Sequence, residues 1–144
     1  MMDVLELLPQ RRPYIMVDEL THFDWVTAKT VFAVRDDNLF CKDGVMEEAG
    51  LGENIAQTCA ARTGYKQRLE GLNAGDNVKI GVIAMIHSLE MRRCPLAGEV
   101  LETSMAIEEE YFSTTLIRSE VKIGDETIAT CRMKLFLTDK TPEE

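Results

Sequence analysis

Several features that would fix a function at sight are scarce or missing in this chain. Histidine occurs twice in 144 residues, as His22 and His87. Both fall in strand-like stretches, where an ordinary polar or half-buried role suits them better than catalysis. The four cysteines, at 41, 59, 94 and 131, show no paired spacing that would hold a metal, so none is expected. They read as reduced, small apolar residues, and a nucleophilic role for Cys41 would need a neighbouring base that the sequence does not display. Positive charge is also short: 16 Lys and Arg face 25 Asp and Glu, a formal net charge of −9. A pI near 4.8 argues against nucleic acid, whose phosphates reward a basic surface. No apolar run reaches the ~20 residues that a membrane span needs. The opening Met1-Met2-Asp3-Val4-Leu5-Glu6 lacks the basic start of a secretory leader, so a soluble, cytoplasmic chain is expected, with no membrane partner. Internal repeats, low-complexity tracts and cofactor fingerprints are absent, and no cofactor is expected.

What is present is core-forming material. At 45% hydrophobic residues, the chain is expected to form one domain over residues 1–144. Asp3 to Leu8 suits a short helix or turn that Pro9 ends. Tyr14 to Phe23 and Trp25 to Val34 are rich in β-branched and aromatic residues and predict a hairpin with a tight link at Asp24. A helix is predicted from about Ala49 to Leu69, then a loop over Gly71-Leu72-Asn73-Ala74-Gly75-Asp76-Asn77. Beyond it, Val78 to Met91, Glu99 to Glu108, Glu110 to Lys122 and Thr127 to Leu137 read as strands. Glu108-Glu109-Glu110 is expected to be a solvated connection, and the tail from Thr138 to be frayed. Strands at turn-delimited intervals around one long helix imply an antiparallel sheet with the helix on one face, an α+β arrangement.

The helix itself is unusual. Gly50-Leu51-Gly52-Glu53-Asn54-Ile55-Ala56-Gln57-Thr58-Cys59-Ala60-Ala61-Arg62-Thr63-Gly64-Tyr65 is built from small residues, so other backbone can approach it closely. Glu53 and Gln57, at i and i+4, share one face. Glu53 is either a rim residue capping a helix start or a catalytic carboxylate. Gly50 and Gly52 serve either close packing or the approach of a ligand to backbone N–H groups.

Four pieces, taken in order, resemble one family. Leu7-Leu8-Pro9-Gln10-Arg11-Arg12-Pro13-Tyr14-Ile15-Met16-Val17-Asp18, then Asn38-Leu39-Phe40, then Glu53-Asn54-Ile55-Ala56-Gln57, then Met91-Arg92-Arg93-Cys94-Pro95-Leu96-Ala97-Gly98-Glu99 resemble the landmarks of the hotdog-fold 3-hydroxyacyl-[acyl-carrier-protein] dehydratases. The resemblance covers nearly the whole chain. It implies a curved antiparallel sheet of about five to six strands wrapped round the central helix, and a dimer as the smallest stable species. It also implies that helix-start backbone at Gly50 and Gly52 holds the thioester carbonyl, and that Glu53, with Gln57, acts on the substrate. Arg92 and Arg93 would then meet an acyl-carrier protein or a coenzyme A thioester. Arg11-Arg12 and Arg132 with Lys134 are further basic candidates. Two departures stand out. The family's catalytic histidine precedes the helix, whereas Cys41-Lys42-Asp43-Gly44-Val45-Met46-Glu47-Glu48-Ala49 has none; and the family's Leu-Leu-Pro-His turn ends here in Gln10. The shortened loop and its Gly resemble a variant group of dehydratase-like proteins from aryl-polyene and flexirubin-type pigment pathways.

Three functions remain open at this point. The first is a dehydratase, a homodimer or a heterodimer with a hotdog homologue, whose missing base a heterodimer would supply from the partner chain. The second is an acyl-thioester hydrolase using Glu53 as nucleophile or base. The third is a non-catalytic acyl-binding or partner subunit.

Overall fold

The computed structural model describes residues 2–8, 11–71 and 79–139. Pro9, Gln10, the loop after Gly71 and the tail after Asp139 lie outside the described residues. In chain order the elements are β1 (Met2–Asp3), a 3-10 turn (Val4–Glu6), β2 (Glu19–Phe23), β3 (Thr27–Ala33), β4 (Cys41–Lys42), β5 (Val45–Met46), α1 (Glu48–Leu69), β6 (Lys79–Met91), β7 (Val100–Tyr111), β8 (Thr114–Ile123) and β9 (Glu126–Asp139). The large sheet runs β1-β2-β3-β7-β8-β9-β6, with every pairing antiparallel. Discounting the two-residue β1, six strands pack against one helix, which is the α+β hotdog arrangement that the sequence implied.

Alternation explains the sheet. Ala28, Thr30 and Phe32 of β3, Leu101, Thr103 and Met105 of β7, and Ile117, Ser119 and Val121 of β8 are buried, while intervening residues are wetter. Leu51, Ile55 and Cys59 of α1 complete the core. Burying each large apolar side chain is worth about 1.5–3 kcal/mol. The β2–β3 link forms where expected: Asp24 Oδ1 accepts hydrogen bonds from the Val26 and Thr27 N–H groups at 2.8 and 2.7 Å.

Three expectations change. The stretch from Tyr14 reads as strand, yet β2 begins only at Glu19, because Tyr14–Met16 is bonded to helix side chains instead of a neighbouring strand. Glu108-Glu109-Glu110 is not a connection but part of β7, which turns at Phe112–Ser113. The pairing of β3 with β7 stops at Thr27 opposite Ala106, so the last residues of β7 are paired with β8 alone and its acids stay in water. The tail expected to fray from Thr138 is ordered at its start, since β9 continues through Thr138 and Asp139 opposite Ile80 and Lys79, and the rest of it lies outside the described residues.

Helix α1 buries polar side chains as well as apolar ones, and each of Asn54, Gln57 and Thr58 has its partners. The Thr103 hydroxyl donates to Asn54 Oδ1 at 2.5 Å, the Thr58 hydroxyl donates to the Asn54 carbonyl at 2.8 Å, and Thr30 and Thr58 hydroxyls meet at 2.7 Å. Small residues make the close wrap possible. A Cβ added at Gly50 would lie 2.6 Å from the Phe40 Cβ, and one added at Gly64 would collide with the Leu7 carbonyl.

Candidate functional site

The segment before α1 sets the site's shape. Asn38 Oδ1 accepts the Phe40 N–H at 2.8 Å, which turns the chain into β4. Asp43 (φ 54) and Gly44 (φ 78) then make a two-residue turn with both central residues left-handed, as a tight hairpin requires. The hairpin is tied down by Met46 N–H donating to the Pro95 carbonyl and Ala97 N–H donating to the Gly44 carbonyl, both at 2.8 Å. The interval that carries the histidine in the resembling dehydratases is therefore a closed hairpin seated on the Pro95–Ala97 segment.

Helix α1 starts directly after it. Glu47 is the N-cap residue but makes no side-chain cap bond; its N–H donates to the Phe40 carbonyl at 2.8 Å. The Gly50 N–H donates to the Glu47 carbonyl at 3.0 Å, so the first-turn N–H groups left without an intrahelical partner are those of Glu48 and Ala49. The two glycines differ. Gly50 is buried against Phe40 and Met46, whereas a Cβ at Gly52 would meet nothing within 4 Å. Packing accounts for the first and leaves the second open to an incoming group.

Glu53 sits in the second turn and so does not cap the helix. Its neighbour Gln57 is fully buried and fixes it. Gln57 Oε1 accepts the Met16 N–H at 2.7 Å, while Nε2 donates to the Tyr14 carbonyl at 2.8 Å and to Glu53 Oε2 at 3.1 Å. Asn54 Nδ2 donates to the Met16 carbonyl at 2.7 Å, and its own oxygen is held by Thr103. Two amides thus clamp both polar groups of Met16, and neither can flip without losing a bond to a backbone group of fixed type. The consequence falls on Glu53: Oε2 can only accept, so a proton on this carboxyl belongs on Oε1. Asn54 and Thr103 were not singled out by sequence reasoning. The signal available was position: Asn54 stands three residues after Leu51, on the same buried face of α1, and a buried asparagine there must find partners.

The other expected site residues are placed as follows. Arg92 is exposed at the end of β6, and its guanidinium has no acid partner among the described residues. Arg93 is engaged internally: both of its terminal nitrogens donate to Glu99 at 2.8 Å, and Glu126 adds a contact at 3.2 Å. Those two acids raise the affinity of Arg93 for its proton, and the bond from Arg93 holds the Glu99 carboxyl below its ordinary value. Arg132 is similarly tied to Glu108 at 2.9 Å. The turn from Arg93 to Gly98 and Glu99, six residues on, was the signal that could have revealed the pairing.

Neither histidine forms a hydrogen bond with Glu53 among the described residues. His22 binds Asp24 at 3.1 Å in the β2–β3 turn, beside which lies Arg62, nine residues or roughly 13 Å along the helix from Glu53. His87 is exposed on β6. Burial and the nearby Asp36 and Asp37 push the Cys41 thiol up, which works against a thiolate nucleophile. Burial pushes Cys59 up to about 12 and Cys131 up to about 11. Among the described residues no group of metal-ligating side chains forms, and no helix is long and apolar enough to cross a membrane. An open trough of about 580 Å³ lies on the sheet between Lys29, Arg118 and Arg132, but Glu53 does not line it. What the helix start offers, among the described residues, is one carboxyl positioned by a buried amide beside an open glycine, and no histidine to act as base.

No curated protein matches this sequence. Among solved structures, the dehydratase heterocomplex ApeI:P from Xenorhabdus doucetiae is similar over 100% of this chain and 95% of that one, with a TM-score of 0.86 at 16% identity. The E. coli PaaI protein from the phenylacetic acid degradation operon is similar over 82% and 81%, with a TM-score of 0.64 at 15% identity. A hypothetical thioesterase with coenzyme A from Streptococcus pneumoniae covers 85% and 86%, with a TM-score of 0.64 at 12% identity. At such identities these likenesses establish the shared hotdog fold. Residues 2–144 match the ApeP-like family, described as ApeP dehydratase, so this chain belongs to that family of dehydratase-like hotdog proteins and lacks the loop histidine.

Proposed function

We propose that this chain is the histidine-lacking subunit of a two-component dehydratase that removes water from a 3-hydroxyacyl thioester in the cytoplasm. The observation that carries the reading is the Gln57–Glu53 pair: a carboxyl held by a buried amide, with no histidine beside it. A histidine from a hotdog partner takes the proton from the carbon next to the thioester carbonyl. Glu53, protonated on Oε1, gives its proton to the 3-hydroxyl, which leaves as water while the double bond forms. The similarity to a dehydratase heterocomplex supports a partner of the same fold. The Glu48 and Ala49 N–H groups and the open side of Gly52 suit the thioester carbonyl. The acyl group arrives on an acyl-carrier protein or on coenzyme A, and Arg92, which has no acid partner among the described residues, is better suited than Arg93 to meet an acidic carrier.

The test is to assay wild type and Glu53→Gln, each alone and mixed with a histidine-bearing hotdog subunit, on a 3-hydroxyacyl thioester, following water loss and thiol release. Wild type is expected to be active only in the mixture, and Glu53→Gln to lower that activity by roughly 10²–10⁴-fold. Equal activity of the two mixtures would make Glu53 structural. Thiol release by wild type alone, lost in Glu53→Gln, would favour the hydrolase.

A further inference from the structure

In the C-terminal half of α1 lies a cation that the dehydratase reading does not use. Arg62 is only 4% exposed, although it is an arginine on a helix beside a hairpin turn. One of its five N–H groups is used, NH2 donating to the Trp25 carbonyl at 2.6 Å. Nε is buried with no partner, and no carboxylate forms an ion pair with the guanidinium among the described residues. Burial lowers its affinity for its proton, while Glu110, Cys59 and Asp24 act in the opposite sense from a distance. Asp24 makes no direct bond to the guanidinium: its oxygens are bound by Val26, Thr27 and His22, and its charge acts only from a distance. Glu110 is exposed and in long contact with the Thr115 hydroxyl, at 3.4 Å.

The surroundings are aromatic. The guanidinium lies 5.9 Å from the centre of the Phe23 ring, which meets Trp25 edge-on at 5.4 Å and Tyr65 at 5.0 Å. Trp25 and Val26 are 59% and 52% exposed, so the buried charge stands behind an apolar lip. Anchoring the hairpin takes one donor, and among the described residues Nε stays buried without a partner. A buried charge short of partners is costly, and an anion that brings its own apolar body satisfies both the guanidinium and the lip.

We infer that Arg62, with Phe23, Trp25 and Tyr65, forms a binding site for a hydrophobic carboxylate, the carboxyl on the guanidinium and the alkyl body on the rings. The site is roughly 13 Å along α1 from Glu53, so it is separate from the proposed chemistry and does not rest on it. Trp25 is the sole tryptophan of the chain and reports on its own site.

The experiment titrates the full chain with octanoate while following Trp25 emission, with octanol and inorganic phosphate as controls. Octanoate is expected to give a saturable shift that octanol and phosphate do not reproduce, and Arg62→Gln is expected to weaken binding at least tenfold. Because Arg62→Gln can disturb the hairpin, the wild-type Arg62 Nε–H resonance is followed as well and is expected to move with the same saturation. The inference is overturned if octanoate causes no saturable change, if octanol or phosphate matches it, or if the Nε–H resonance stays still.

Discussion

The two glycines at the start of α1 give opposite outcomes when each is changed to alanine. In a helix interior Gly→Ala gains about 0.8–1 kcal/mol, because alanine has less backbone freedom to lose. At Gly52 that gain is unopposed, since the new Cβ meets nothing within 4 Å. Gly52→Ala should therefore raise stability by about 0.8 kcal/mol, or roughly 3 °C in Tm for a chain of this length. At Gly50 the new Cβ lies 2.6 Å from the Phe40 Cβ, 3.0 Å from its Cγ and 3.1 Å from the Met46 Cε. The Phe40 Cβ cannot swing away, because its backbone carbonyl holds the Glu47 N–H. Overpacking of that kind costs about 1–3 kcal/mol, so Gly50→Ala should be destabilised by about 1 kcal/mol after the helix gain is subtracted. Urea unfolding of both variants measures the difference. The same Gly52→Ala protein, mixed with the histidine-bearing subunit, should lose dehydration activity despite its greater stability, since the open side of Gly52 is where the thioester is proposed to approach. Two shifts of the same sign would refute the packing argument, and full activity in Gly52→Ala would remove Gly52 from the substrate's path.

Two further outcomes follow from the hydrogen bonds around the helix. Gln57→Leu keeps the volume but strands the Met16 N–H and the Tyr14 carbonyl, each worth about 1–3 kcal/mol when left unsatisfied, so chemical unfolding should show a loss of about 2–6 kcal/mol. Glu99 is held below its ordinary value by Arg93, so its contribution is fully present above about pH 4.5 and is lost as pH falls through the folded value. The stability difference between wild type and Arg93→Gln, followed by urea midpoint, should accordingly shrink on acidification below about pH 4.5, and a constant difference would contradict the pairing.

Much of the fold was legible because it is written in alternation and punctuation. The strands around Phe32, Leu101 and Ile117 alternate, and Asp24, Gly98 and Gly124-Asp125 mark their ends. The Tyr14–Met16 stretch misled because an apolar segment bonded to Asn54 and Gln57 has the same local pattern as one bonded to a strand. The acid run in β7 misled for a related reason: past Ala106 the strand has lost its β3 neighbour, so acids there satisfy water on exposed positions without breaking the ladder to β8. Glu53 and Gln57 were legible as an i, i+4 pair, but not the direction of the amide. That direction depends on Met16, forty-one residues away in sequence from Gln57. Arg62 was invisible as a site because a helix of small residues gives no periodic contrast to say which of its faces is buried.

The hairpin at Asp43–Gly44 bears on why the base is sought in another chain. Both turn residues are left-handed, the turn is exposed or half-exposed, and its backbone is tied to Pro95 and Ala97. A histidine at 43 or 44 would stand at the hairpin tip on strained backbone, and one at 46 would replace a fully buried methionine packed against Gly50. Val45 is exposed with ordinary backbone, but it is bridged to Leu96. The segment is therefore closed by packing and turn chemistry together, not merely by the loss of one side chain. On the proposed reading, the carboxyl that Gln57 holds supplies half of an acid–base pair, and a second hotdog chain would carry the other half.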